Sequence, residues 1–258
     1  MAEHYLQLPL SEQSAILRAK APELGRVPEV LEKDIWVCWT LQQLFSMPSR
    51  LPMAFKGGTS LSKVFRVIER FSEDIDITLD YRGLAVGADP FAAGLSGRQL
   101  RKLSEELKEF VKAHVSEMVQ PWIAARLGEQ FPGGSHAREL SEDGEQLRLS
   151  YPSALTERGE YLRDSVLLEF GGRNIIEPNE VHIVSPDIAL GLDGLVFPEA
   201  TVSVLSPART FWEKATLMHV ECHRDSLRQN AERLSRHWYD LAMLARHPTG
   251  VQAVTERE

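Results

Sequence analysis

The stretch Phe55 to Asp80, F-K-G-G-T-S-L-S-K-V-F-R-V-I-E-R-F-S-E-D-I-D-I-T-L-D, sets a glycine pair before a short helical pattern and a pair of aspartates after it. Gly57 and Gly58 lack a Cβ, so the backbone can turn sharply there and bring its N–H groups close to a ligand. Thr59 or Ser60 is then placed to cap a helix, and Leu61, Val64, Phe65 and Ile68 recur at helical spacing. Such a helix points its unpaired N–H groups and partial positive charge at whatever sits beside the glycines, and a phosphate suits that position. Further on, Ile75, Ile77 and Leu79 alternate with Asp74, Asp76, Thr78 and Asp80, the period of a half-buried strand. Asp74 and Asp76 therefore share a face.

Two carboxylates at i and i+2 on a strand are held several Å apart by the pleat and repel each other when bare. Hard oxygen ligands so placed suit magnesium, which takes one or two protein carboxylates and completes its shell with water and substrate phosphates. Alone, such a pair says little, because any exposed strand face can carry two acids. Joined to G-G-T-S one helix upstream, it reads as a site for a nucleoside triphosphate and its metals.

At 258 residues the chain can bury a sizeable core, and its length fits one large domain or a core with a smaller lobe. Cys38 and Cys222 are far apart in apparent helices and form no disulfide framework, so a reducing cytoplasm is expected. No basic start leads into a long apolar run, and no stretch approaches the roughly 18 apolar residues that span a bilayer; no membrane partner is expected. The formal charge of -8 argues against nucleic-acid binding over the whole surface, while leaving room for a local basic groove. Arg224, Arg228, Arg233, Arg236 and Arg246 crowd near the C-terminus, as a solvated helix face or as an RNA-binding strip.

Val30 to Phe45 reads as a helix stopped by Pro48, and Pro52 to Phe55 as a short strand before the glycines. A long helical stretch from about Arg98 to Leu127 is interrupted at Pro121, and Phe131 to Gly144 reads as a mobile loop. Strands are expected at Leu147 to Tyr151, Ser165 to Phe170, Val181 to Val184 and Thr201 to Leu205. Helices follow at about Pro207 to Cys222 and Asp225 to Arg246. The pattern predicts an α+β fold, with a mixed-sheet core and its N-terminal helices over 1–205 and a helical C-terminal lobe over 206–258, a cleft lying between them.

Three further residues carry possible chemistry. Glu169 interrupts the apolar strand Val166 to Phe170, and an acid there is normally exposed at an edge, paired with a base such as Arg173, or bound to metal. Lys214 lies near the side of its helix that carries Phe211, Leu217 and Met218, with its stem along the core edge and its head free to reach a triphosphate. Its loss would then weaken triphosphate binding and leave the melting temperature nearly unchanged. Asp240, flanked by Trp238, Tyr239 and Leu241, needs a basic partner, Lys214 or a nearby arginine. His219 and His223 share a helix face beside Cys222, but no second ligand pair is evident, and a structural reading is preferred.

With these residues in place, the chain resembles the AbiEii/AbiGii-type toxin nucleotidyltransferases, which include the MenT toxins, within the DNA polymerase β-like superfamily. The resemblance rests on F-K-G-G-T-S-L-S-K followed by R-F-S-E-D-I-D, with support from E-K-D-I-W-V at Glu32 to Val37, F-W-E-K at Phe211 to Lys214, and W-Y-D-L at Trp238 to Leu241. It implies a polymerase β-like core in which Lys56, Gly57, Gly58, and Thr59 or Ser60 hold the triphosphate, and Asp74 and Asp76 bind two Mg2+ ions, or Mn2+ in their place. Glu169 then matches the third carboxylate, Lys214 the phosphate-contacting lysine and Asp240 the late acidic motif. Ser72 matches a serine that a partner phosphorylates in some members. The implied reaction is transfer of a nucleoside monophosphate from an NTP to an RNA end such as the tRNA acceptor stem, with a cognate antitoxin as partner, in toxin–antitoxin or phage defence. Transfer to a protein hydroxyl, or nucleotide binding without turnover, are the alternatives.

Overall fold

A computed structural model describes residues 3–84, 89, 92–132, 138–156, 162–224 and 234–255. At its centre is a seven-stranded mixed sheet of order β4-β5-β6-β3-β2-β9-β7. In chain order these are β2 (Met53–Lys56), β3 (Ile75–Asp80), β4 (Arg138–Leu140), β5 (Gln146–Ser150), β6 (Ser165–Asn174), β7 (Asn179–Val184) and β9 (Ala200–Leu205), while β1 (Glu3–His4) and β8 (Leu195–Val196) pair separately. β3 runs antiparallel to β2 and parallel to β6, so the aspartate strand lies mid-sheet.

The alternation read in the sequence decides which face of β3 is buried. Ile75, Ile77 and Leu79, with Val166, Leu168 and Phe170 of β6, join a core completed by Trp36, Trp39 and Leu41 of α2 (Pro28–Ser46). Leu107 and Val111 of α4 (Gly97–His114) and Ile123 of α5 (Gln120–Gln130) close the same core. Every second residue of β3 therefore faces away from these helices, which is where the acids stand. A π-helical turn, Val115–Val119, separates α4 from α5, so the break expected at Pro121 falls just before the proline, which sits in the first turn of α5.

Three differences from the sequence reading have physical causes. α1 (Leu10–Leu24) escapes a periodicity search because its buried stripe is only Gln13, Leu17 and Ala21. The helix after the glycines, α3 (Gly57–Lys63), is shorter than its apolar spacing predicts. Arg66 takes a left-handed backbone, φ 54°, and the chain folds back so that Val67 and Ile68 pack on the C-terminal helices. The expected loop Phe131 to Gly144 contains β4, paired with β5; its Gly133-Gly134 pair lies outside the described residues.

After β9 come α6 (Pro207–Cys222), α7 (Ser235–Arg246) and α8 (Pro248–Thr255). Phe211, Leu244 and Ala253 from these helices share a core with Leu61, Val67 and Ile68, which seats the helices against α3 and the segment behind it. The N-terminal part of the expected helix Asp225 to Arg246, including Arg228 and Arg233, lies outside the described residues. No helix among the described residues is long and apolar enough to cross a membrane.

Candidate active site

The turn from β2 into α3 is shaped by a near collision. Gly57 has φ +78°, and a Cβ built on it would lie 1.9 Å from Asp76 Oδ2. Glycine is thus needed twice here, for its backbone conformation and for the space the carboxylate occupies. A Cβ on Gly58 would meet Arg70 Nη2 and Ser72 Oγ, each at 2.7 Å, so the segment returning from α3 presses on the second glycine. The helix starts at Gly57, with Lys56 in the cap position and no side-chain cap, which corrects the expected capping by Thr59 or Ser60. Both hydroxyls are fully buried and donate inward, Thr59 Oγ1 to the Asp74 carbonyl at 2.5 Å and Ser60 Oγ to the Gly57 carbonyl at 2.9 Å. Thr59 ties the turn to the residue before the aspartate strand, and Ser60 closes the turn on itself.

Strand register then lines up the charges. Lys56 stands opposite Asp76, and Asp76 beside Glu169 on the next strand. Burial and the Glu169 carboxylate push Asp76 up to about 7, against the pull of Lys56. Asp74, immediately before β3, is also raised, by burial and by Glu73 and Glu169, with Arg236 and Lys33 opposing. Glu169 accepts a hydrogen bond from Gln146 Nε2 at 2.7 Å. Arg173 pairs with Glu145 instead, and β6 is an interior strand running on through Gly171-Gly172 to Asn174, so the edge-strand ion pair considered for Glu169 does not form.

Of the other cations, Arg70 lies just before Asp74 in sequence, while Lys214 and Arg236 come from far away. Asp240 is wholly buried on α7, accepts two hydrogen bonds from Arg70 (Nε to Oδ1, 2.7 Å; Nη2 to Oδ2, 2.6 Å), and pairs with Lys214 Nζ at 2.9 Å. Burial raises its pKa, but Arg70 and Lys214 outweigh burial and hold the carboxyl below its usual range. With its oxygens so committed, Asp240 acts by holding Arg70 and Lys214 in place. Lys214 is itself buried, between Phe211 and Met218 on the inner face of α6, so its removal would disturb the fold as well as any ligand. The neighbouring Glu213 reaches Lys56 at 2.9 Å, and Arg236 of α7 comes within 3.6 Å of Asp74 Oδ2.

Residues of this region line two separate cavities. Asp76 and Glu169, but not Asp74, line the smaller, about 260 Å³, together with Lys56, Gln146 and Asp143 and Glu145 of the β4–β5 turn. The larger, about 510 Å³, lies on the side of Arg70 and Ser72 and reaches Asp34 and Lys63, which pair at 2.5 Å. Ser72 is half-buried where the returning segment meets Gly58. Among the described residues, no group of three or more His, Cys, Asp and Glu is placed to hold a metal ion, so Asp74, Asp76 and Glu169 are not gathered into a three-ligand set. The donor set fits an ion that needs only one or two carboxylates: burial and the neighbouring carboxylates disfavour the charged forms of Asp74 and Asp76, a cost that a bound cation would offset.

The family model for "Nucleotidyl transferase AbiEii toxin, Type IV TA system" matches residues 39–257. The chain belongs to the AbiEii nucleotidyltransferase toxin family. The match takes in every site residue named above from Lys56 to Asp240 and begins after Glu32–Val37. Glu32 and Asp34 in that preceding segment hold backbone N–H groups of Ala154 and Asp187, while Lys33 pairs with Glu73 at 2.7 Å. Among solved structures, this AbiEii-family chain is similar to MenT4, a nucleotidyltransferase toxin from Mycobacterium tuberculosis H37Rv, at 22% identity and TM-score 0.43. That alignment covers 78% of this chain and 57% of MenT4. A search of curated proteins returned no match.

Sequence reasoning missed Arg70, Glu213 and His237, and read Arg236 only as part of a basic face near the C-terminus, not as a neighbour of Asp74. Arg70 stood inside the quoted R-F-S-E-D-I-D without a role, and Glu213 and His237 are immediate neighbours of, or three residues from, motif residues that did receive one. The His219 and His223 rings lie 4.3 Å apart, and a ring nitrogen of His223 contacts the His219 carbonyl; among the described residues no metal cluster forms there.

Proposed function

We propose that this chain is a Mg2+-dependent nucleotidyltransferase that moves a nucleoside monophosphate from an NTP to an RNA end, the tRNA acceptor stem in the first instance. In this reading it is the cytoplasmic toxin of a toxin–antitoxin pair, neutralised by a cognate antitoxin and serving in phage defence. The observation that carries the reading is the Asp76 carboxylate, packed on the Gly57 backbone, raised to about 7 and aligned with Glu169 across the sheet. A carboxylate pair built at such electrostatic cost is expected where a cation and a phosphate chain arrive together.

Asp74 and Asp76 would hold Mg2+, or Mn2+, with Glu169 completing the carboxylate set. A metal held there would supply Lewis-acid stabilisation of negative charge on the phosphates. The chain's own contribution is position and charge. The turn at Lys56, Gly57 and Gly58, fastened by Thr59 and Ser60, offers backbone N–H groups to the phosphates. Lys214 and Arg70, both braced by Asp240, present positive charge where negative charge develops on the leaving group. Ser72, beside Gly58 and Arg70, lies within reach of the same phosphates. On an acidic chain, local cations such as Arg236 and Arg224 must serve for RNA contact.

The test is to incubate the protein with each labelled NTP, Mg2+ and either total RNA or cell protein. Label in a tRNA-sized band that is absent with Asp76→Ala supports the reading. Label only in protein moves the acceptor to a protein hydroxyl. Nucleotide binding without any transfer reduces the chain to a binding module.

A further inference from the structure

Lys214 has three N–H donors, and the structure accounts for two of them. One goes to Asp240 Oδ2 at 2.9 Å; the other faces His237 Nδ1 at 3.4 Å. His237 lies one turn before Asp240 on α7, so the same helix face delivers both acceptors to one ammonium group. We propose that His237 is a positioning residue for Lys214: as the neutral Nε2–H tautomer it accepts an ammonium N–H at Nδ1, leaving the third N–H for a phosphate oxygen of a bound triphosphate.

The tautomer follows from the contact. An ammonium group has donors only, so the nitrogen facing it must carry a lone pair, and a protonated Nδ1 would set hydrogen against hydrogen. The groups around the ring agree. Burial first, and then the cationic Lys214, Arg236 and Arg70, oppose protonation and hold His237 down to about 4, while Asp240, which favours it, is already shared by Arg70 and Lys214. A four-carbon lysine stem leaves its head free to rotate, and one salt bridge does not stop rotation about the Cε–Nζ bond. A second fixed acceptor does, so the remaining donor keeps one direction. That direction matters only if an anion stands beyond it, so the functional half of the proposal rests on triphosphate binding in the candidate site.

The experiment compares His237→Asn and His237→Leu with wild type in the full-length protein. Asparagine places an amide oxygen near the position of Nδ1, whereas leucine fills similar space without an acceptor. His237→Leu is expected to lower kcat/KM for the NTP about tenfold, the scale of one charge-assisted hydrogen bond, with a melting temperature close to wild type. His237→Asn should recover most of that loss. In parallel, ring 15N spectra of the protein without nucleotide, assigned by loss of the His237 signals in His237→Asn, should show an unprotonated Nδ1 and a protonated Nε2 at neutral pH. The opposite tautomer, or leucine and asparagine variants with equal kinetics, overturns the proposal. If wild type transfers no nucleotide but the tautomer is as stated, the transferase reading fails while the ammonium–imidazole contact stands.

Discussion

Replacing Asp240 by asparagine changes one oxygen to an amide nitrogen and little else in volume, yet it removes the charge that two cations share. The Lys214 side chain is 9% exposed and Arg70 23%, so in Asp240→Asn an ammonium and a guanidinium face each other across a neutral, partly donating amide. Breaking a buried pair from one side costs about 3–5 kcal/mol, and the partial exposure of Arg70 argues for the lower end, about 3 kcal/mol. For a chain of this size each kcal/mol moves the melting temperature by about 2–4 °C, so a fall of about 6–12 °C is expected. Differential scanning calorimetry at pH 7 measures it directly. The carboxyl is held below its ordinary range, so its contribution is present above the unfolded carboxylate range and is lost only as pH falls through the lower folded value. The gap between wild type and mutant should therefore stay constant from pH 6 to 8 and close in strong acid. Adding Arg70→Met to Asp240→Asn should restore part of the loss, because one stranded cation is then gone. A mutant melting within about 2 °C of wild type, or one made worse by Arg70→Met, would refute the view of Asp240 as the brace of both cations.

Gly57→Ala should all but abolish transfer and lower stability, since the new methyl would meet Asp76 Oδ2 at 1.9 Å on a backbone at φ +78°; circular dichroism separates a displaced aspartate from an unfolded chain. Without metal, Asp76 contributes stability that is full below its unfolded pKa and lost as pH rises through about 7. Asp76→Asn should flatten the fall in melting temperature between about pH 4 and 7, and Mg2+ should stabilise wild type at pH 7.5 more than the mutant. Lys56→Met removes a cation that restrains Asp76, so the acid limb of the pH–rate profile should shift to higher pH. Lys214→Ala should weaken NTP binding and also lower the melting temperature, unlike the loss of a solvated surface lysine; an unchanged transition would remove Lys214 from the buried pair.

Reaction class was legible where the chemistry is local. A glycine pair, a short helix and alternating acids lie within one continuous run, and each follows a backbone rule that needs no partner. The apolar face of β3 is buried as read, although Thr78 and Asp80 on its other face are buried too and the strand is not half-exposed, and α6 spans Pro207–Cys222 as its pattern predicts. What sequence could not supply was pairing at a distance. Arg70 meets Asp240, Lys56 meets Glu213 and Arg236 meets Asp74 because the C-terminal helices dock on α3, and no spacing rule connects residues more than a hundred positions apart. The same docking explains the short α3: Val67 and Ile68 kept a helical spacing but serve the lobe's core from an irregular segment. Asp34 and Lys63 were hidden for a similar reason, since a buried ion pair looks like two ordinary surface charges until the chain closes over it.

The tie between Arg70 and Asp240 also sets a timetable. The two residues are 170 positions apart. At roughly 5–20 residues per second, synthesis places them on the order of ten to thirty seconds apart, during which the emerging chain carries its acidic strand without the helices that bring Lys214 and Asp240. A ribosome making this protein thus releases the acidic strand first and the helices that carry Lys214 and Asp240 last, so the charges that meet in the folded chain are separated in time as well as in sequence.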